Sequence, residues 1–205
     1  MATYTKRLQK VTAVLCTTAL LAGCTAGTSD NTEPAATTAQ VKAITIEPTA
    51  AYQTMNGFGA SACWWSQEVG NWENAKDILS LLYDENSGIG LNIYRYNLGA
   101  GSKDDATITD PDRRAEAFID KDGSYHWERD AAAQNALALA KSMNKDLRVT
   151  LFSNSAPVFY TTNGKAYCDY LPDDEKYITN LEPERYADFA KYSIACAKHF
   201  TEAGY

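Results

Sequence analysis

Apolar and polar positions change period along the chain, and each change marks an element. Residues 41–46 alternate around Ile44 and Ile46, as a short strand does, and residues 52–60 read as a second extended run. From Asn71, a plausible N-cap, Ile78, Leu81 and Leu82 recur at helical spacing until the turn residues 86–88. Residues 88–102 hold an apolar, β-branched and aromatic run (Leu91, Ile93, Tyr94, Tyr96, Leu98) between glycine pairs, which predicts a buried strand. Asp130 is placed to cap a helix over 131–143, with Ala136, Leu137, Leu139 and Ala140 inward. Residues 147–152 predict a third strand. A last helix runs from Glu182-Pro183 to Ala203, with Tyr186, Phe189, Ala190, Ser193, Ala197 and Phe200 inward.

Strand and helix therefore alternate three times, which implies parallel strands joined by right-handed crossovers. The strands are nearly continuous in apolar residues, as when both faces are buried. Polar and aromatic residues gather after each strand: Trp64 and Trp65, then 97–102, then 154–160. That is the ligand-binding rim of a (β/α)₈ barrel. An open doubly wound sheet fits the same alternation, but no Gly-x-Gly-x-x-Gly opens a helix after the first strand, which argues against a dinucleotide site. The polar connection 100–127 is long enough to read as a functional loop, and its acids from Asp104 to Asp112 read as solvated surface.

Arg95 lies inside the central strand. A buried cation needs an acidic partner, because an unpaired buried charge is very costly. The formal net charge of −7 argues against nucleic acid or an anionic membrane surface as partner and suits a neutral ligand. Thirteen tyrosines and four tryptophans suit both a core and a sugar-binding cleft.

The first 24 residues carry a basic segment (Lys6, Arg7, Lys10) and an apolar stretch over 11–22 too short to span a bilayer. The stretch ends in Leu21-Ala22-Gly23-Cys24, which resembles the lipobox of bacterial lipoproteins. The expectation is an exported protein anchored by lipid on Cys24, whose only membrane contact is that lipid. Residues 25–40, rich in Thr, Ala, Ser, Asn and Pro, read as a flexible tether. Cys63, Cys168 and Cys196 remain after export, an odd number whose pairing is left open. No Cys/His spacing suggests a metal, and no cofactor is expected.

Four motifs occur in order: Gly57-Phe58-Gly59-Ala60-Ser61, the run from Gly88 to Arg95, Phe152 to Pro157 with Thr162-Asn163-Gly164, and Asn180 to Tyr186. Together they resemble glycoside hydrolase family 30, especially its endo-β-1,6-galactanase-like branch, over residues 41–205. The resemblance implies the N-terminal portion of a (β/α)₈ barrel, about three βα units. Residues 41–54 would be the N-terminal strand of a side β-sandwich. It implies retaining hydrolysis of a β-linked polysaccharide or oligosaccharide by two glutamates, whose carboxyls sit about 5 Å apart in retaining enzymes.

Those glutamates follow the fourth and seventh strands in the family, so both are expected beyond residue 205, and this chain alone is expected to be inactive. Glu182 precedes a helix and reads as a carboxylate favoured by the dipole, with Pro183 in the first turn. By resemblance Arg95 supports the nucleophile. Trp64, Trp65, Asn97, Asn154, Ser155 and Phe159 are the candidate substrate contacts; Phe159 stands where relatives often have tryptophan. A non-catalytic glycan-binding surface lipoprotein is the rival reading. Glucosylceramidase or xylanase specificity within the same family is another.

Overall fold

The structure, a computed structural model, describes residues 44–205. The signal segment, Cys24, the tether and residues 41–43 lie outside the described residues. The described part of the first unit, 44–51, is exposed coil, with one turn in which the Ala50 N–H donates to the Glu47 carbonyl. Ile44 and Ile46 are not in a strand, contrary to the alternation, because no partner strand pairs with them among the described residues. A strand without a partner leaves its backbone groups unpaired.

The second unit, 52–205, is built on three parallel strands in the order β1 (Gly59–Ser61), β2 (Ile93–Leu98), β3 (Arg148–Ser153). The predicted run 52–60 contributes only its last residues to β1. Short helices α1 (Trp65–Val69) and α2 (Ala75–Tyr83) join β1 to β2. Helix α3 (Ala131–Met143) joins β2 to β3. After β3 comes an excursion carrying the small antiparallel pair β4 (Tyr170–Leu171) and β5 (Lys176–Tyr177), and then α4 (Tyr186–Glu202). Strand order follows chain order, as in a barrel wall. Among the described residues no helix is long and apolar enough to cross a membrane.

Burial in β2 alternates strictly. Tyr94, Tyr96 and Leu98 are buried, while Ile93, Arg95 and Asn97 are half-buried. The buried face packs against Leu79 and Tyr83 of α2, Leu137 and Ala140 of α3, and Tyr192, Cys196 and Phe200 of α4. The Tyr96 and Phe200 rings meet at 4.7 Å, and those of Tyr83 and Tyr94 at 5.5 Å. The reading of strands buried on both faces is therefore corrected. Arg148 and Thr150 of β3 are exposed, because helices cover one side of this sheet and the opposite face is open among the described residues.

Four further expectations change. Helix α2 starts at Ala75 rather than Asn71, whose N–H instead closes α1 by donating to the Glu68 carbonyl. Asp130 occupies the N-cap position of α3 but makes no capping bond; its φ of 55° is left-handed and its carboxylate turns to the Tyr96 hydroxyl. The inward stripe of α4 is Tyr192, Cys196 and Phe200, so of the expected face Phe200 is buried and Phe189 partly packed, while Tyr186 is exposed. The connection 100–127 is not wholly polar loop: Ala115, Ala117, Phe118 and Ile119 enter the core, with the Phe118 ring 5.9 Å from that of Phe200. All three described cysteines are free thiols.

Close backbone approaches fix the geometry at two glycines. A side chain on Gly70 would meet the Ala132 carbonyl at 1.8 Å, so the close approach of the end of α1 to α3 requires glycine there. A side chain on Gly99, just past β2, would meet the Glu116 carbonyl at 2.0 Å. That contact presses the loop after β2 onto the buried part of the connection and sets the floor of the rim.

Candidate functional site

Parallel strands present their C-terminal ends on one side, and here those ends form a cavity of about 190 Å³. Its wall includes Trp64, Asn97, Arg113, Asn154, Ser155 and Tyr167. It is smaller than the roughly 300 Å³ of a complete small-molecule pocket. Mixed aromatic and amide walls of this kind hold neutral, hydroxyl-rich ligands: rings cover C–H faces, and amides pair with hydroxyls.

The chain after β1 places Trp64. Its φ of 66° is left-handed, uncommon for a bulky residue, and it precedes α1 without a side-chain cap. The Arg113 guanidinium lies 5.2 Å from the Trp64 ring centroid and pairs with Asp110 at 3.3 Å. Trp65, one residue on, is in the helix. Its indole N–H donates to the Ser61 carbonyl at 2.9 Å and its ring packs against the core. The two tryptophans thus divide, Trp64 to the cavity and Trp65 to the core.

Asn97, next to last in β2, stands opposite Phe152, and Asn154 follows β3. The Asn154 amide lies 3.4 Å from Asn97 Oδ1, long for a hydrogen bond between nitrogen and oxygen, and 3.5 Å from Cys63 Sγ, an ordinary distance to sulfur. Ser155 Oγ donates to the Ala156 carbonyl at 3.1 Å, while Ser153 Oγ braces the turn through the Ser155 carbonyl at 2.6 Å. Phe159 is not brought to this cavity. It packs edge-on against Tyr160 at 4.6 Å and lines a different space with Lys103, Asp120 and Arg129.

Arg95 shares a sheet face with Asn97, Thr150 and Phe152. Its guanidinium carbon sits 3.4 Å from the Phe152 ring centroid. The expected acidic partner is absent among the described residues, and Nε is buried without a hydrogen-bond partner. The guanidinium is held by a ring face, with part of its hydrogen-bonding capacity unused.

Among the wall residues that the sequence does not point to are Tyr167 and Arg113. Tyr167 stands on the excursion after β3; its hydroxyl bonds Thr107 at 2.9 Å, and Lys165 lies 5.1 Å from its ring. The Thr107 hydroxyl and the Lys165 ammonium hold its phenol below the usual tyrosine range. Arg113 lies in a one-turn 3₁₀ segment of the polar connection. Neither position belongs to a periodic pattern; the only signals were the Asn163-Gly164 turn near one and the Asp110-Pro111 turn near the other.

A polar network lies on the helix side of the sheet. The Tyr96 hydroxyl donates to Asp130 Oδ2 at 2.6 Å. The Asp130 N–H donates to Glu116 Oε2 at 2.8 Å, and Glu116 pairs with Lys103 at 2.8 Å. Burial is the largest influence on Asp130 and raises its pKa to about 7 against the opposing Tyr96 bond.

The description of O-glycosyl hydrolase family 30 matches residues 41–205. The chain belongs to that family. An endo-β-1,6-galactanase of Hypocrea rufa is 29% identical over 180 residues, covering 76% of this chain and 36% of that protein. A conserved exported protein from Bacteroides fragilis, known as a crystal structure, has a TM-score of 0.68 at 28% identity, over 78% of this chain and 34% of its own. An endo-β1,6-glucanase superposes with a TM-score of 0.53 at 18% identity, over 78% of this chain and 35% of its own, which speaks to the fold alone. The chain spans about a third of the length of these family 30 relatives. Glu182 lies beside Arg185 at 3.8 Å ahead of α4, away from the cavity wall given above.

Proposed function

We propose that this chain is the N-terminal part of a retaining glycoside hydrolase acting on a β-1,6-linked, galactan-like glycan. The observation that carries the proposal is the cavity at the C-terminal ends of β2 and β3, where the Trp64 ring and the Asn97 and Asn154 amides face one space. Family membership supports glycoside hydrolysis, and the resemblance to the Hypocrea rufa enzyme supports the β-1,6-galactan linkage. In this reading the whole enzyme is the usual (β/α)₈ barrel with a side sandwich, and residues 59–202 form its first βα units. Export and anchoring through Cys24 belong to the same reading, supported by the sequence around that cysteine and by the exported relative.

The cavity wall carries no carboxyl group among the described residues. The acid/base and nucleophile are therefore assigned to parts of the enzyme outside these residues, and the chain by itself is inactive. Arg95 would keep the nucleophile ionised by its opposite charge and orient it through its unused N–H groups. Trp64 would stack on a sugar face, while Asn97, Asn154 and Ser155 meet hydroxyls.

The test is hydrolysis of β-1,6-linked galactan by full-length enzyme, with the anomer of the first product followed by NMR. Retention gives the β-anomer first. An α-anomer appearing first, or a glycan left intact, sinks the proposal.

A further inference from the structure

The excursion between β3 and α4 does not wander as a loop of this length could. Its two ends are tied by an antiparallel bridge between Thr161 and Leu181, and the Thr162 N–H donates to the Asn180 carbonyl at 2.7 Å. Inside the neck, the buried Asn180 amide nitrogen reaches Asn163 Oδ1 at 3.1 Å, the Lys165 carbonyl at 3.0 Å and the Tyr167 carbonyl at 3.1 Å. One side chain thus holds both ends of residues 162–180 and fixes the backbone of Tyr167, which lines the cavity. Beyond this neck the arm carries β4 and β5, where Tyr170 and Tyr177 stand directly opposite each other. Opposed residues of an antiparallel pair share one face. Their rings meet at 5.0 Å, yet Tyr170 is 48% and Tyr177 74% exposed.

Two tyrosine rings, tilted by 52° to each other, are thus held out in water side by side on one face, each with a surface free to cover an apolar sugar face. A strained turn, with Glu175 at a φ of 49°, lies between them. The chain from Tyr167 to Tyr170 reaches at most ~11 Å. The ledge therefore lies within a short step of the cavity wall. The arm has four acids (Asp169, Asp173, Asp174, Glu175) against two lysines (Lys165, Lys176), which disfavours an anionic occupant.

The geometry points to a glycan-stacking ledge formed by Tyr170 and Tyr177, which extends the cavity and takes neutral sugar units of the polymer beyond those held at the β2–β3 rim. This rests on the glycan-hydrolase reading above and adds where the rest of the chain is gripped. The ledge makes the enzyme prefer long substrates, because only they reach from the cavity to the arm. Asn180 is its positioning residue: it sets the angle between ledge and cavity without touching sugar.

The experiment measures kcat/KM of full-length enzyme on β-1,6-linked galactotriose and on β-1,6-linked galactan. Wild-type enzyme gains in kcat/KM from trisaccharide to polymer. Each ring is expected to supply about threefold to tenfold of that gain, so the double variant Tyr170→Ala/Tyr177→Ala loses most of it, chiefly through KM on the polymer. The double phenylalanine variant keeps the ring faces and is expected to keep the gain. Native gels containing galactan read the same difference without turnover, as lost retardation.

A double alanine variant with the wild-type polymer gain and retardation overturns the ledge while leaving the hydrolase reading intact. A phenylalanine variant as weak as the alanine one overturns stacking as its basis. Wild-type enzyme that neither binds nor cleaves either substrate overturns the glycan assignment itself, and the ledge falls with it.

Discussion

Asparagine at position 130 isolates one buried charge. Asp130 is 8% exposed, accepts from Tyr96 at 2.6 Å and has its pKa raised to about 7, chiefly by burial. In the unfolded chain the same carboxyl titrates near 3.9. A raised folded pKa means that the native state holds the proton more tightly than the unfolded state between those two values. Stability from this group is therefore greatest below pH ~4, falls as pH rises through the window and is flat above pH ~7. From pH 5 to pH 7 the loss covers two pH units, on the order of 3 kcal/mol. Asp130→Asn keeps an oxygen for the Tyr96 hydroxyl and carries no charge at any pH. The variant should gain on wild type by about 3 kcal/mol more at pH 8 than at pH 5. Urea unfolding of full-length protein at both pH values measures this as a difference in midpoints, with m-values compared to confirm that the same surface is exposed. An equal effect at the two pH values, or a variant weaker than wild type at pH 8, would refute the assignment of a buried, costly carboxylate.

Three further outcomes follow from the same contacts. Gly99→Ala drives a methyl into the Glu116 carbonyl and should cost about 1–3 kcal/mol, seen as a lower melting temperature. Trp64→Ala should raise KM on the glycan by about tenfold with a smaller change in melting temperature, whereas Trp65→Ala should lower stability by about 2–4 kcal/mol through lost packing; the reverse pattern would exchange their roles. Asn180→Ala removes the amide whose two N–H groups are shared among three acceptors of the neck, and proteolysis within residues 162–180 should become faster while the central strands keep their hydrogen-exchange protection.

The sequence was most legible where an element is long and its burial simple. Helix α3 was read over its observed span, and β2 and β3 were read to within a few residues, because apolar runs bounded by turns have few alternatives. Helix α1 was missed because five residues are too few to display a period. In α4 two stripes both satisfy the helical repeat, and only packing against Tyr96 and Phe118 selects Tyr192, Cys196 and Phe200. At the rim, the residues close to a strand end, Trp64, Asn97, Asn154 and Ser155, line one cavity. Arg113 and Tyr167 arrive from distant loops, and their position depends on folds of those loops that no short-range pattern records. Arg95 illustrates a different limit. Charge reasoning demanded an acid, yet the guanidinium lies over a phenylalanine face and no acid pairs with it among the described residues.

The neck at Asn180 has a consequence for how such a protein can vary. Because the excursion is closed by its own backbone bridge and one amide, its far end contributes little to the enclosed core. Lengthening or shortening a loop whose ends are already joined changes closure entropy only slowly. The segment between Tyr167 and Asn180 can therefore be exchanged as a cassette while the strands beneath it remain as they are.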